Sequence, residues 1–171
     1  MKTTTIYTVR YRRQRDGRTD YKKRLNLLKG KVDRLVIRKT NTKIILQAVR
    51  YNPDGDKVLL TVNSSELKKM GWSHTCKNIP AAYLAGLLFA KKAKENKIGK
   101  LILDLGLISP YKGSKAFSAV KGVIDGGLNV PVSEEVFPSE ERLKGDHVVA
   151  YLEKHKSLTD DFVKLKKELK E

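Results

Sequence analysis

The sequence predicts one α/β domain on a mixed β-sheet, with a basic extended N-terminal arm and a helical C-terminal tail. Three observations predict it. Three runs rich in branched apolar residues follow one another between residues 35 and 62, separated by polar turns. An alanine-rich helix and a fourth apolar run follow. The first fifty residues hold sixteen Lys/Arg against three Asp/Glu. We expect an arm at 1–19, a domain at 20–155 and a charged tail helix at 156–171, and 171 residues suffice for a core.

The arm is too polar to bury itself and too positive to collapse alone, so we expect it to become ordered against an anionic partner. It reaches Thr19 without helical periodicity, and Asp16-Gly17 is typical of a turn. Guanidinium groups bind phosphate in pairs of hydrogen bonds and tyrosine rings stack on unpaired bases, so RNA or DNA is the predicted partner. The predicted contacts are Arg10, Tyr11, Arg12, Arg13, Arg15, Arg18, Tyr21, Lys22, Lys23 and Arg24.

A short helix after the arm is predicted to begin at a Thr19 or Asp20 cap and to stop at Gly30. Its apolar residues are Tyr21, Leu25 and Leu28, and the cations between them stand off that face. The ring of Tyr21 either packs under the helix or stacks on a base.

Three strands then form an antiparallel meander, at 35–37, 44–49 and 58–62. A polar turn at 38–43 joins the first two, and the run from Asn52 to Asp56 is a strong hairpin turn. Both faces are partly apolar, so helices are expected to cover much of the sheet. The cationic turn adds predicted RNA contacts at Arg38, Lys39, Thr40, Asn41 and Lys43.

The helix from Ile79 has Asn78 as N-cap and Pro80 in its first turn. Its small residues would let it lie close to the sheet; they are Ala81, Ala82, Ala85, Gly86 and Ala90. The apolar run 101–105 predicts a strand that pairs in parallel after a crossover.

A second helix is predicted at 114–125 with a glycine cap at 126–128, followed by an edge strand at Val130 and Val132. In the tail, Phe162, Leu165 and Leu169 have helical spacing, for a helix that lies on a partner or frays.

The order βββαβα resembles the ribonuclease-H-like architecture, whose nucleases need clustered carboxylates to hold two metal ions. Here the first strand carries no acid between Leu35 and Asn41, and Asp104 is a lone acid that we expect to fix a loop. His74 and Cys76 offer two zinc ligands without a second pair. We therefore expect no catalytic residues, no metal and no cofactor. The Gly113-Ser114-Lys115 run has two interpretations, which are compatible. It binds one backbone phosphate, or Ser114 simply caps the helix that follows.

Cys76 is the only cysteine, so no intrachain disulfide can form and a reducing, cytoplasmic location is expected. No apolar run approaches the ~20 residues that span a bilayer, so no membrane partner is expected. The rival interpretations are an RNA-processing enzyme of the same architecture, a general nucleic-acid or membrane-surface binder, and the solvated charged surface of a heat-adapted protein.

Several motifs, in order over about residues 5–152, resemble the archaeal large-subunit ribosomal protein family that binds 5S ribosomal RNA, number eighteen in the bacterial count and equivalent to eukaryotic large-subunit protein five. They are Tyr11-Arg12-Arg13, Gly17-x-Thr-Asp-Tyr-x-Lys-Arg-Leu, Gly71-Trp72, Asn78-x-Pro-Ala-Ala-Tyr-Leu-x-Gly, Leu103-Asp104-x-Gly106, Ser109-Pro110, Gly113-Ser114-Lys115-x-Phe117 and Asp125-x-Gly-Leu.

The resemblance implies three layers, with helices on both sides of a mixed sheet, and no small-molecule substrate. It also implies a structural place in the central protuberance, where the protein joins 5S rRNA to the large-subunit rRNA beside neighbouring ribosomal proteins. It adds Gln47 on the sheet and the loop residues Tyr111, Lys112, Gly113, Ser114 and Lys115 to the expected RNA contacts.

Overall fold

A computed structural model describes residues 8–152 and 157–170, so parts of the predicted arm (1–7), domain (153–155) and tail (156 and 171) lie outside the described residues. Its centre is a four-stranded mixed sheet in the order β3-β2-β1-β4. The strands are β1 (Asp33–Lys39), β2 (Ile44–Arg50), β3 (Lys57–Asn63) and β4 (Leu101–Asp104). Strands β1 to β3 are antiparallel and β4 is parallel to β1. The predicted meander and the parallel pairing are confirmed.

The helices are α1 (Arg12–Arg15), α2 (Tyr21–Leu28), α3 (Ile79–Glu95), α4 (Lys115–Asp125), α5 (Glu140–Lys144), α6 (Asp146–Tyr151) and α7 (Ser157–Lys170). Single 3₁₀ segments lie at Ser64–Met70 and Glu134–Val136. From β1 to α4 the strands and α-helices follow the predicted order βββαβα, and the α/β class is confirmed.

Local capping signals place the helix ends where the sequence predicts them. The Asp20 carboxylate accepts a hydrogen bond from the Lys23 N–H at 3.1 Å. The Asn78 side chain accepts from the Ala81 N–H at 2.9 Å. Gly127 turns the chain after α4 with φ +88°, a left-handed conformation that favours glycine. The starts of α2 and α3 and the end of α4 therefore lie within a residue of expectation.

The core lies on one face of the sheet, under α3 and α4. Leu35 and Leu46 point into it and are fully buried. The close approach of α3 is to α4 rather than to the sheet, which corrects our expectation for its small residues. A Cβ on Gly86 would collide with the Ala119 carbonyl, and a Cβ on Gly122 would collide with a carbonyl of α3. Glycine is therefore required on both helices where they cross.

The C-terminal helix α7 packs on α3 of its own chain. Leu158, Phe162, Leu165 and Leu169 are all buried, and the Phe162 ring lies 5.5 Å from that of Tyr83. The tail was expected either to lie on a partner or to fray. Residues 157–170 do neither, because their apolar face completes the core of the domain.

The N-terminal region differs from expectation. Residues 12–15 form the single helical turn α1, so the described arm is not wholly extended. In α2 the inward side follows Tyr21, Arg24, Leu27 and Leu28, all half-buried, whereas Leu25 is 59 % exposed. Tyr21 and Leu28 of the predicted face do turn inward, but Leu25 does not, because Arg24 takes the inward position and its guanidinium binds Asp56.

Two expectations about the sheet are also corrected. Val130 and Val132 form no strand; the chain makes only an isolated bridge there, between Lys100 and Asn129. The predicted helical layer on the second face is reduced to α2 at one side. Most of that face is open within the described residues, and it forms the site described next.

Candidate nucleic-acid interface

The second face of the sheet forms the floor of a groove with a volume of about 1110 Å³. Alternation along β1 and β2 places Val36, Ile45, Gln47 and Val49 on this floor. The walls are the arm with α2, the turn between β1 and β2, and the loop 105–111. We call this feature the groove.

The arm wall contains half of the predicted arm contacts. Arg13, Arg18, Tyr21, Lys23 and Arg24 line the groove. The other predicted arm residues are exposed but outside its lining, and these are Arg10, Tyr11, Arg12, Arg15 and Lys22.

Two contacts order this wall. The Arg13 Nε donates to the Thr19 hydroxyl at 3.0 Å. The Tyr11 and Tyr21 rings lie 5.1 Å apart, so Tyr21 packs against a ring of the arm.

The turn between β1 and β2 forms a cationic end wall. Arg38, Lys39 and Thr40 line the groove, and Asn41 and Lys43 are their neighbours in the same turn. The Thr40 hydroxyl donates to the Lys43 carbonyl at 2.9 Å and accepts from its N–H at 3.0 Å, which fixes the turn.

On the floor, the Gln47 amide donates to the Thr61 hydroxyl at 3.1 Å. The sheet therefore brings the predicted Gln47 and turn residues to one side of the molecule.

The loop after β4 contributes only one of its predicted residues. Tyr111 lines the groove and is 72 % exposed. Lys112 turns toward Glu135, at 3.5 Å, and Gly113 has φ +69° with its N–H bonded to the Val136 carbonyl at 2.8 Å. Neither residue belongs to the groove lining.

Ser114 and Lys115 also lie outside the lining. Ser114 occupies the N-cap position of α4, but its hydroxyl makes no capping hydrogen bond and is buried without a partner among the described residues. Lys115 is exposed at the first position of α4. The alternative of a plain Ser114 side-chain cap is therefore wrong.

An unpredicted ring of polar contacts joins the walls. Arg34 is 3 % exposed; its guanidinium donates to Asp104 at 2.7 Å and to Asp56 at 2.7 Å, while its Nε is buried without a partner among the described residues. Arg24 donates to the other oxygen of Asp56 at 2.8 Å. We call the set Lys23, Arg24, Arg34, Asp56, Asp104 and Gly106 the ion-pair ring.

Asp104 and Lys23 close the ion-pair ring through the loop. The Gly106 N–H donates to Asp104 at 2.9 Å, which confirms that this lone acid fixes a loop. The Lys23 ammonium donates to the Gly106 carbonyl at 3.0 Å. No sequence signal identified Arg34, because its partners lie 22 and 70 residues away.

Charge pairing shifts the pKa values in the ion-pair ring. The hydrogen bond from Arg24, with that from Arg34, lowers the pKa of Asp56 against the opposing effect of its partial burial. The same bond raises the pKa of Arg24. Both groups are therefore charged at neutral pH.

Other polar residues have structural surroundings. Within residues 8–152 and 157–170, no three His, Cys, Asp or Glu side chains are grouped as a metal ion requires. Cys76 is buried, and burial raises the pKa of its thiol. His74 lies 3.3 Å from Asp161 on α7. No helix in the described part of the chain is long and apolar enough to cross a membrane.

Comparison with known proteins gives concordant results. A profile of the family described as "Ribosomal large subunit proteins 60S L5, and 50S L18" matches residues 5–99. The large ribosomal subunit protein uL18 of Methanoregula boonei is 49 % identical over 154 residues, covering 90 % of this chain and 88 % of that protein. The protein of the same name from Korarchaeum cryptofilum is 46 % identical over 148 residues, covering 86 % of this chain and 76 % of that protein. The chain therefore belongs to the family of large-subunit ribosomal proteins 60S L5 and 50S L18, and it is a ribosomal protein rather than an enzyme.

Proposed function

We propose that the chain binds 5S rRNA in the groove and links it to the large-subunit rRNA in the central protuberance of the cytoplasmic ribosome. The observation that carries the proposal is the composition of the groove. Cationic side chains from the arm and from the turn, exposed aromatic rings and an apolar floor meet on one open face of the sheet.

The cations suit a phosphate backbone. Arg38 and Lys39 are exposed and Lys43 is half-buried, and none of the three holds a side-chain ion pair among the described residues, so they are available to a ligand. Arginine and lysine that neutralise phosphates release counterions, which supplies most of the affinity of such interfaces. About eight phosphate contacts would give a log–log salt slope near −6 on irregular RNA.

The floor and the rings suit unpaired bases rather than a regular duplex. Of the apolar floor, Val36 and Val49 are buried, while the half-buried Ile45 is accessible to a ligand, and the exposed ring of Tyr111 stands at its side. Bases in RNA loops and bulges stack on such surfaces, whereas a regular helix presents mainly phosphates and sugars. A folded RNA with internal loops therefore fits the groove better than duplex DNA.

Contacts to the large-subunit rRNA and to neighbouring ribosomal proteins belong to surfaces outside the groove. Lys112 and Lys115 are exposed beside the start of α4, away from the groove lining. We assign a backbone contact of the large RNA to them, since the groove does not use them.

Competition binding tests the proposal. The full chain is titrated with labelled 5S rRNA against transfer RNA, duplex DNA and anionic vesicles, and we expect 5S rRNA to compete best. Equal competition by all the nucleic acids would indicate a general binder, and preference for the vesicles a membrane-surface protein.

Removal of residues 1–18 tests the arm. Residues 8–18 are exposed, so the thermal midpoint should hardly change while affinity falls strongly. Failure of the shortened chain to fold would show that the arm is structural.

A further inference from the structure

The ion-pair ring places two acids, Asp56 and Asp104, in the lining of a groove that we assign to RNA, and these acids require an explanation. We propose that Arg34, Asp56 and Asp104 are positioning residues: they contact no RNA, but they hold α2 and the loop 105–111 in the places from which those elements bind it. This inference rests on the proposed function of the groove.

Arg34 is unsuited to contact RNA directly. Its side chain is 4 % exposed, and both terminal nitrogens are committed to carboxylates at 2.7 Å. Burying such a group has a desolvation cost that ion pairing often only offsets, so a buried pair is weak evidence for stability. What the pair does fix is geometry, because the planar guanidinium holds Asp56 and Asp104 in set directions.

Helix α2 depends on the ion-pair ring for its location. None of its eight residues is buried, and an isolated helix of this length is unstable in water. Its apolar residues Tyr21, Leu27 and Leu28 are only half-buried, so apolar packing alone holds it weakly against the domain. Its long-range hydrogen bonds are those from Arg24 to Asp56 at 2.8 Å and from Lys23 to the Gly106 carbonyl at 3.0 Å.

The acids also balance charge within the wall. A bare carboxylate at the groove would repel phosphate, but Asp56 accepts from two guanidinium groups and Asp104 from one. They therefore organise cations without presenting free negative charge to the ligand. In the absence of the ion-pair ring, RNA binding would have to order α2 and the loop as well, and ordering side chains and loops reduces affinity.

Neutralising the acids separates positioning from charge, because the two effects have opposite signs. Asp56→Asn and Asp104→Asn each raise the net charge of +17 by one, so a groove that acted by charge alone would bind RNA more tightly. Positioning predicts about a tenfold loss of affinity instead. Asp54→Asn is the matched control: it lies in the same turn, is exposed and makes the same change of charge outside the ion-pair ring.

The dissociation constant of the full chain for a 5S rRNA transcript is measured for all three variants, together with their thermal midpoints. We expect weaker binding for Asp56→Asn and Asp104→Asn, and equal or tighter binding for Asp54→Asn. Equal or tighter binding by all three would overturn the positioning role.

A double-mutant cycle that combines Arg24→Gln with Asp56→Asn covers the case in which one of the acid variants is less stable than the wild type. Since Arg24 and Asp56 act through one contact, the double variant should lose less affinity than the product of the two single losses. Fully multiplicative losses would contradict the role.

The proposed function is tested separately with a triple variant that carries glutamine at Arg38, Lys39 and Lys43. If that variant loses affinity and the acid variants do not, only the positioning role is wrong. If it too keeps full affinity, RNA binding in the groove is wrong.

Discussion

The cationic turn between β1 and β2 allows the strongest quantitative test of the groove. The perturbation is the triple variant Arg38→Gln, Lys39→Gln and Lys43→Gln. The side chains of Arg38 and Lys39 are exposed and that of Lys43 is half-buried, and the turn itself is fixed by hydrogen bonds of the Thr40 hydroxyl to the backbone of Lys43, which the variant keeps. The fold should therefore survive, and any change in RNA binding reports lost phosphate contacts.

The magnitude follows from counterion release. Each lost contact on irregular RNA removes about 0.7 from the log–log salt slope, so three contacts change it by about 2, from near −6 to near −4. At about 0.15 M salt each contact is worth about fourfold in affinity relative to about 1 M, so three are worth about fiftyfold. This corresponds to about 2.3 kcal/mol of binding free energy.

The assay is fluorescence anisotropy of a labelled 5S rRNA transcript, repeated across about 0.05–0.5 M potassium chloride. The control variant carries glutamine at Lys164, Lys167 and Lys170, three exposed lysines of α7 far along the chain from the groove. It makes the same change of charge and should leave the slope nearly unchanged. An unchanged slope in the turn variant, or an equal change in both variants, would refute the reasoning.

Three further outcomes follow from the fold. Gly122→Ala should destabilise the protein by about 1–3 kcal/mol in urea unfolding, because the new methyl group meets the backbone of α3; Gly30→Ala, where a Cβ would make only an ordinary contact at 3.8 Å, is the control. Phe162→Ala should cost about 3–5 kcal/mol and Val163→Ala little, since these side chains are 1 % and 42 % exposed. Because the folded pKa of Asp56 is lowered, its contribution to stability is present above the unfolded value and is lost as pH falls through the folded one. The stability difference between the wild type and Asp56→Asn should therefore be constant above about pH 5 and shrink below about pH 4, and a difference that grows on acidification would contradict this.

Local signals explain the successes of the sequence analysis. The caps at Asp20 and Asn78 and the turn at Gly55 depend on residues at most three positions apart, and all three form as expected. The parallel pairing of β4 followed from the order of elements, because a strand after a helix returns in parallel; its partner, β1, was not predicted.

Long-range contacts explain the failures. The predicted face of α2 includes Leu25, which is exposed, because Arg24 faces the domain instead and its partner Asp56 lies 32 residues away. Apolar spacing cannot report a helix that docks by charge. The strand predicted at Val130 also fails for a long-range reason. Only the neighbouring Asn129 pairs with the chain next to β4, through a single bridge to Lys100.

For the candidate site, composition identified the type of side chain better than its place. Arg13, Arg18 and Arg38 were predicted and do line the groove, whereas Lys112 was predicted and points to Glu135. Gln47 was predicted, but the apolar floor residues Val36, Ile45 and Val49 were missed, although apolar residues on both faces of β1 and β2 were the available signal. We had assigned that second apolar face to a layer of helices.

The position of the core on one face of the sheet has a consequence for synthesis. The strands β1 to β3 are complete at Asn63, but the helices that cover them end only at Asp125. At about 5–20 residues per second, the apolar face of the nascent sheet stays uncovered for roughly 3–12 s. The cationic arm is already translated throughout that interval, so electrostatic repulsion between nascent chains opposes their aggregation.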